Sequence, residues 1–351
     1  MRALVTGGCG FIGRNIVRQL LREGVDVIVI DDLSTSIKGF QWEEDDLEFH
    51  NMDISEMRRD SDFSVFKGVD VVFHTAAKAR VQPSIDNPIE YHNVNVNGTL
   101  NILKACVDYK VKRLIYSSSS SVYGDVEEKD LPTSENSKLN PMSPYALQKL
   151  IGEQYCKLFS ELYDLETVCL RYFNVYGEAM SFEGAYKLVI PTFVEQLLQN
   201  KPLTVRGDGE QRRDFTYVGD VVKANIMCAM AETKWKGDIF NIGNGNNVSI
   251  NELVDIFKYC FGNVEVSNVD PVTEPRETLS DSSKSLKYLK WKPTIELKDW
   301  LIQSFSGNNP DSNNDNLWMK KKMKDKDKKI SNNKQVDSSL KKLPPEEGPE
   351  L

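Results

Sequence analysis

Short apolar runs and amphipathic stretches alternate along the first half of the chain. Arg2–Thr6 reads as a buried strand, and the stretch after it carries Ile16, Val17, Leu20 and Leu21 on one helical face. Further strands are predicted over residues 25–30, 47–51, 69–74 and 111–116, and helical periodicity covers about 88–110 and 143–164. Alternation of this kind predicts an α/β fold with a doubly wound parallel sheet. The second half is more mixed. A helix is predicted over residues 189–198, strand-and-turn patterns at 203–209 and 240–245, a helix near Asp220, and a last helix over 297–305.

From about Gly307 the periodicity stops. Residues 308–316 are rich in Asn and Asp, and residues 320–329 form a mixed-charge run, so 307–351 is expected to be a disordered polar tail. The net charge of −8 argues against nucleic acid or an acidic membrane as partner. The six cysteines include no CxxC pair, which fits free thiols, and the three histidines lack metal-ligand spacing, so no metal is expected. His74 ends a strand pattern and is read as structural. No signal peptide and no membrane-spanning run is apparent, so the expected location is cytoplasmic.

Chemistry enters after the first strand. Gly7, Gly10 and Gly13 give GxxGxxG between a strand and a helix. Gly7 permits a tight turn, Gly10 a close pyrophosphate, and Gly13 packing of helix on strand, with the helix N-terminus facing the phosphates. Asp31 and Asp32 end the second strand, where an acid meets the adenosine ribose hydroxyls and repels a 2′-phosphate; NAD is therefore favoured over NADP. Asp53 and Ile54 follow the third strand, at the adenine end. Ala76 and Ala77 follow the fourth, where small residues suit either a close cofactor or simple packing. Asn95 lies inside a helical pattern beside Asn93 and Asn97, and its poor propensity implies a polar task for at least one of them.

The run Ser117-Ser118-Ser119-Ser120-Ser121-Val122-Tyr123-Gly124 is read as a strand end opening into a polar loop. Tyr145 and Lys149 lie four apart on a predicted helix, so they share a face. An ammonium beside a phenol favours the phenolate, and a nearby Ser hydroxyl could relay its proton; this is acid/base equipment for an alcohol or ketone. A surface Tyr and Lys at chance spacing is the plainer alternative.

Taken together, the glycine motif, Asp31, the serine run ending in Val-Tyr-Gly, Tyr145-xxx-Lys149 and Leu170-Arg171-Tyr172-Phe173-Asn174-Val175-Tyr176-Gly177 resemble the extended short-chain dehydrogenase/reductase family. Within it, the similarity is to nucleotide-sugar epimerases of the UDP-glucose 4-epimerase type, over about residues 1–305. The resemblance implies a Rossmann NAD-binding domain over 1–175, with some later segments returning to it, and a smaller α/β nucleotide-sugar lobe over 176–306. It implies Tyr145 as acid and base, Lys149 on the nicotinamide ribose and Ser119 as the catalytic hydroxyl. The cofactor site would add Phe11, Ile12, Ser117 and Tyr172.

The implied UDP-sugar contacts are Ser119, Tyr145, Asn174, Val189, Thr204, Arg206 and Arg213, the last on the pyrophosphate. The read-out of Arg212-Arg213 as a solvated pair is the alternative. Relatives carry Arg-x-Gly-Asp where this chain has Pro271-Val272-Thr273-Glu274, so Glu274 stands for the Asp and Arg276 is a substitute for the missing Arg. Thr278 occupies a position that walls the sugar. Being small, it leaves room for an acetamido group unless neighbours close the gap.

Ser120-Ser121 replaces the acids that dehydratases and decarboxylases of the family use, so the implied reaction stops at C4 oxidation and re-reduction, with UDP-GlcNAc or UDP-Glc leading. Uronate 4-epimerisation is the near rival and would need a cation or hydroxyl at C6. A 4-keto-sugar reductase and a non-catalytic NAD-sensing module are the others. The family also implies a homodimer through helices 88–110 and 143–164.

Overall fold

The computed structural model describes residues 1–36, 42, 47–180, 188–271 and 274–305. The predicted tail from 307 lies outside these residues, as do residues 181–187. In the first half, the strands are β1 (Arg2–Thr6), β2 (Asp26–Asp31), β3 (Leu47–Asn51), β4 (Val71–His74), β5 (Arg113–Ser119) and β6 (Glu166–Tyr172). Between them run the helices α1 (Phe11–Arg22), α2 (Asp60–Phe63), α3 (Val81–Asp86), α4 (Pro88–His92), α5 (Thr99–Asp108) and α6 (Pro144–Leu162). The second half contributes β7 (Val175–Tyr176), α7 (Val189–Leu198), β8 (Leu203–Arg206), β9 (Arg212–Asp214), β10 (Thr216–Tyr217), α8 (Val218–Met230) and β11 (Lys236–Ile242). It ends with β12 (Asn247–Ser249), α9 (Ile250–Phe261), β13 (Val266–Val269), α10 (Ser283–Leu289) and α11 (Leu297–Phe305).

Seven strands form one sheet in the order β11-β6-β5-β4-β1-β2-β3, and every pairing is parallel. The order reverses between β1 and β4, which opens a crevice at the strands' carboxyl ends where α/β sheets bind ligands. Being covered on both faces, the inner strands are apolar throughout: β1, β2, β4 and β6 are almost wholly buried. One face packs Ile16, Val17 and Leu20 of α1 and Val221 and Cys228 of α8, and the other packs Ile102 and Cys106 of α5 and Cys156 and Phe159 of α6. β11 comes from the second half and pairs with β6, so the sheet is completed by residues far along the chain.

Two differences from the sequence reading bear on the site. First, the serine run is strand before it is loop. Ser117, Ser118 and Ser119 pair in register with Leu170, Arg171 and Tyr172, and only Ser120–Tyr123 forms a tight helical turn. Polar residues remain in a buried strand here because their hydroxyls have partners. Second, the helix predicted over 88–110 carries a π turn at Asn93–Gly98 between α4 and α5. The extra residue turns Asn95 inward, where it is buried.

The smaller lobe is built from paired two-strand ladders (β8 with β13, β9 with β12, β7 with β10) and from α7, α9 and α11. Its core holds Phe193 edge-on to Phe257 at 5.4 Å, with Tyr176 against Trp300 at 5.3 Å. All six cysteines are free. Among the described residues no helix is long and apolar enough to cross a membrane, and no cluster of His, Cys, Asp or Glu could hold a metal ion.

Candidate active site

At the end of β1 the chain turns through Gly7 at φ +70°. A Cβ on Gly7 would stand 2.7 Å from the Ala76 backbone, and one on Gly13 would stand 2.1 Å from the Gly7 carbonyl oxygen. Both contacts are shorter than any side chain tolerates, so the turn, the loop after β4 and the start of α1 close together only with glycine. α1 has no side-chain cap, and the N–H groups of its first turn, at Phe11, Ile12 and Gly13, have no intrahelical acceptor. A helix N-terminus of this form suits a pyrophosphate.

Asp31 closes one side of the glycine turn. Its carboxylate accepts from the Cys9 N–H at 2.9 Å and the Leu33 N–H at 2.7 Å. Burial pushes its pKa up, and those N–H bonds oppose the push. Free lone pairs remain for a ribose diol. Asp32 is exposed and bonds Ser34 instead. Asp53 accepts from the Ser55 N–H and hydroxyl, while Ile54 is buried against Gly98.

The loop after β4 is held from several sides. Ala76 N–H donates to Thr6 Oγ1 at 3.2 Å. Asn95 Oδ1 accepts from the Lys78 N–H at 2.8 Å, and its amide donates to the Lys78 carbonyl and to Gln148 Oε1, both at 2.9 Å. Asn95 thus acts on the loop that carries Ala76 and Ala77. His74 sits buried between Thr6 and Thr99, bonded to both hydroxyls, and burial pushes its pKa down to about 3. That fits the structural role expected of it.

Tyr145 and Lys149 lie in the first turns of α6, which Ser143 caps by accepting from the Ala146 N–H at 3.2 Å. The Ser119 hydroxyl, at the end of β5, acts on the Tyr145 phenol and favours its ionised form. Lys149 is buried; its Nζ donates to the Ser117 carbonyl at 2.7 Å and lies 6.0 Å from the Tyr145 ring centre. So the three predicted catalytic residues converge. Their electrostatics differ from expectation. Burial raises the Tyr145 phenol although Ser119 acts to lower it, and burial pushes Lys149 down to about 8. The cost of burying charge is the leading cause of both shifts, and neither shift draws on the other group. Ser117 Oγ lies 3.1 Å from the Tyr172 hydroxyl, which also meets Asn225, so Tyr172 backs the site from the core.

Beneath these residues runs a polar chain that no short motif announced. Ser118 Oγ donates to Glu153 Oε1 at 2.5 Å, and Arg171 binds Glu153 through Nε at 2.8 Å and Nη2 at 2.7 Å. The guanidinium stacks on Tyr123 at 4.7 Å, and the Tyr123 hydroxyl donates to Asn241 Oδ1 at 2.6 Å. Glu153 follows Lys149 by one turn of α6. The spacing was visible in the sequence; the partners on β5, β6 and β11 were not.

The predicted substrate residues fall in two groups. Asn174 donates to Thr278 Oγ1 at 3.2 Å, and the Asp214 N–H donates to the same hydroxyl at 3.1 Å, so Asn174 and Thr278 are adjacent. Arg213 is bonded to Glu274 at 2.6 Å, and Gln211 approaches the other Glu274 oxygen at 3.5 Å. Arg212 is not a solvated twin of Arg213, since it binds Asn247 and Glu252. Arg276 forks onto Asp208 at 2.8 and 3.0 Å on the exposed surface, which holds the Asp208 carboxyl down at about 2. Val189 opens α7, Thr204 is bonded to Gln196 at 2.7 Å, and the Arg206 side chain is exposed.

A crevice with a glycine turn at a helix N-terminus, a carboxylate at the end of β2 and a Ser–Tyr–Lys set fits a dinucleotide. Gly7, Gly10, Gly13 and the α1 N-terminus would hold the pyrophosphate, Asp31 the adenosine ribose, and Lys149 and Ser117 the other end.

The NAD dependent epimerase/dehydratase family matches residues 3–243. A putative UDP-glucose 4-epimerase of Methanocaldococcus jannaschii is 42% identical over 301 residues, covering 84% of this chain and 94% of its own length. A UDP-glucuronate 4-epimerase of Thermodesulfobacterium geofontis is 34% identical, covering 85% and 93%. Among solved structures, UDP-N-acetylglucosamine 4-epimerase from Methanobrevibacter ruminantium in complex with UDP-N-acetylmuramic acid superposes with a TM-score of 0.80 at 34% identity, covering 87% and 97%.

Proposed function

Because the chain belongs to the NAD-dependent epimerase/dehydratase family, we propose that it inverts C4 of a UDP-hexose, with Tyr145 as the proton-transfer group. The observation that carries this reading is the meeting of Ser119, Tyr145 and Lys149 beside the glycine cradle. Bound NAD supplies the hydride acceptor and donor. Tyr145 takes the proton from the sugar's C4 hydroxyl as the 4-keto form develops, and returns it to the new hydroxyl. Ser119 holds that oxygen and the phenol in line. The Lys149 ammonium steadies the developing phenolate.

Ser120 and Ser121 add no carboxyl group to the turn after β5, and the buried acid behind β5, Glu153, is committed to Ser118 and Arg171. This favours epimerisation over loss of water or carbon dioxide. In the smaller lobe, Arg213 is the pyrophosphate ligand, and Glu274 must yield its hold on that guanidinium when the diphosphate arrives. Asn174 and Thr278 border the sugar. Thr278 is short enough to admit an N-acetyl group beside it.

The test is product analysis after incubating the purified protein with UDP-glucose, UDP-N-acetylglucosamine and UDP-glucuronate, with no cofactor added. Formation of the C4 epimer of at least one is expected, from NAD carried by the protein. No epimer from any of them, even with NAD supplied, overturns the reading.

We also infer a homodimer. α6 exposes Leu147, Leu158 and Leu162, and α4 exposes Ile89, which is 76% accessible. Leu147, Leu158 and Leu162 recur at helical spacing, so they form one apolar stripe. Pairing α4–α5 and α6 of two copies buries it. Sedimentation at assay concentration should give a dimer mass; a monomer there contradicts the pairing.

A further inference from the structure

The loop between β4 and α3 runs from the cofactor cradle to the catalytic tyrosine. At one end Ala76 lies against Gly7, and at the other the Ser84 hydroxyl accepts from the Tyr145 N–H at 3.1 Å. In between, Asn95 clamps Lys78, and the Tyr91 hydroxyl donates to the Ala79 carbonyl at 2.8 Å. The next residue, Arg80, is different. It holds φ +94°, a conformation costly for any residue with a Cβ, and the anchors on either side keep it there.

Its long side chain is half-buried, yet among the described residues no carboxylate or carbonyl accepts from the guanidinium. The nearby Lys78, by contrast, is paired with Glu90 at 2.7 Å. Burial lowers the Arg80 pKa, and the group that opposes this is the Tyr91 phenol, whose hydroxyl is fixed on the Ala79 carbonyl beside it. A half-buried cation with no carboxylate partner among the described residues is a waiting anion site. The cofactor pyrophosphate already has the cradle, and the substrate pyrophosphate has Arg213 in the other lobe. The remaining anion that can come close to Tyr145 is one on the sugar itself.

We propose that Arg80 is a specificity-determining residue that selects a hexose bearing a carboxylate, through guanidinium–carboxylate pairing beside Tyr145. The proposal rests on the UDP-sugar reading above and sharpens its substrate class. It supplies the cation that a uronate requires at C6, and it would equally serve a carboxylate on a substituent of a neighbouring ring carbon.

Calorimetric binding to the full-length protein tests it with UDP-glucuronate, UDP-N-acetylmuramate, UDP-glucose and UDP. The wild type should bind one of the two acidic sugars at least several-fold more tightly than UDP-glucose. In Arg80→Gly the ratio of acidic to neutral affinity should fall by about 30-fold, the usual worth of a hydrogen-bonded charge pair. Arg80→Lys should keep part of it. Glycine accepts φ +94° freely, so the thermal midpoint of Arg80→Gly should not drop, which separates recognition from folding. Which acid is preferred tells where the carboxylate sits.

Equal affinity of the wild type for acidic and neutral sugars overturns the proposal. So does an equal loss for all ligands in Arg80→Gly, or loss of bound NAD in that variant, which would put the guanidinium on the cofactor. Because binding is read without turnover, Arg80-dependent selectivity with no epimer formed would sink the epimerase reading and keep this one. Epimerisation of UDP-glucose with an unaltered ratio in Arg80→Gly would do the reverse.

Discussion

Replacing Tyr145 with Phe is expected to lower turnover by about a thousand-fold or more, the range lost when a positioned acid/base group is removed. The substitution deletes one hydroxyl and leaves the ring. The Tyr145 backbone N–H keeps its bond to Ser84, and α6 keeps its cap at Ser143. Lys149 keeps its bond to the Ser117 carbonyl. NAD should therefore remain bound, because its cradle of Gly7, Gly10, Gly13 and Asp31 is untouched. Thermal stability should change little, since Tyr145 is only partly buried and the nearby Ser119 hydroxyl keeps its bond from the Ser121 N–H. Turnover within tenfold of the wild type would show that another group moves the proton.

The largest stability effect is expected at Glu153. Arg171 and Glu153 are each about 1% accessible, and the pair holds Ser118, Tyr123 and Asn241 in one chain of contacts. Burial alone would lower the Arg171 pKa, but the Glu153 carboxylate raises it well above its ordinary value. Glu153→Leu removes the only carboxylate that Arg171 contacts among the described residues and leaves a buried guanidinium without a counter-charge. Such a break costs about 3–5 kcal/mol, so the thermal midpoint should fall by roughly 10 °C. Combining it with Arg171→Met should restore part of the loss, because two apolar groups in place of a buried pair are often tolerated. A midpoint in the single variant within about 2 °C of the wild type, the size of a surface substitution, would contradict this account.

Parts of the site were legible because the chemistry constrains neighbours in sequence. A glycine turn between a strand and a helix is local, and so is a Tyr and a Lys four apart on one helix. Both are where the sequence places them, and the strand ending at Asp31 puts that acid beside the turn. What was hidden depends on pairs distant in sequence. The serine run looked like a loop because hydroxyls suit loops. It is strand because Ser118 meets Glu153, 35 residues away, and Ser117 meets Tyr172, 55 residues away. Arg213 was identified by its motif, but its present partner Glu274 is 61 residues on.

Asn95 was singled out for its poor helix propensity, and its polar task proved to be holding Lys78 across a π turn. Periodicity alone does not distinguish a π turn from regular helix. Nor does it report a backbone angle, so Arg80 passed unnoticed in the sequence. The lowered Tyr145 pKa expected from Lys149 also failed for a spatial reason. Spacing shows that two groups are near each other, but burial, which here raises the phenol and depresses the ammonium, depends on the whole fold.

The central claim is that C4 is oxidised and re-reduced at one site with the hydrogen kept on the enzyme. It is tested by following a UDP-hexose deuterated at C4 through conversion in ordinary water, with no cofactor added, and measuring the label in the product. The account predicts that the epimer keeps its deuterium at C4. Replacement of the label by solvent hydrogen would mean that C4 loses a proton, not a hydride, and would contradict it.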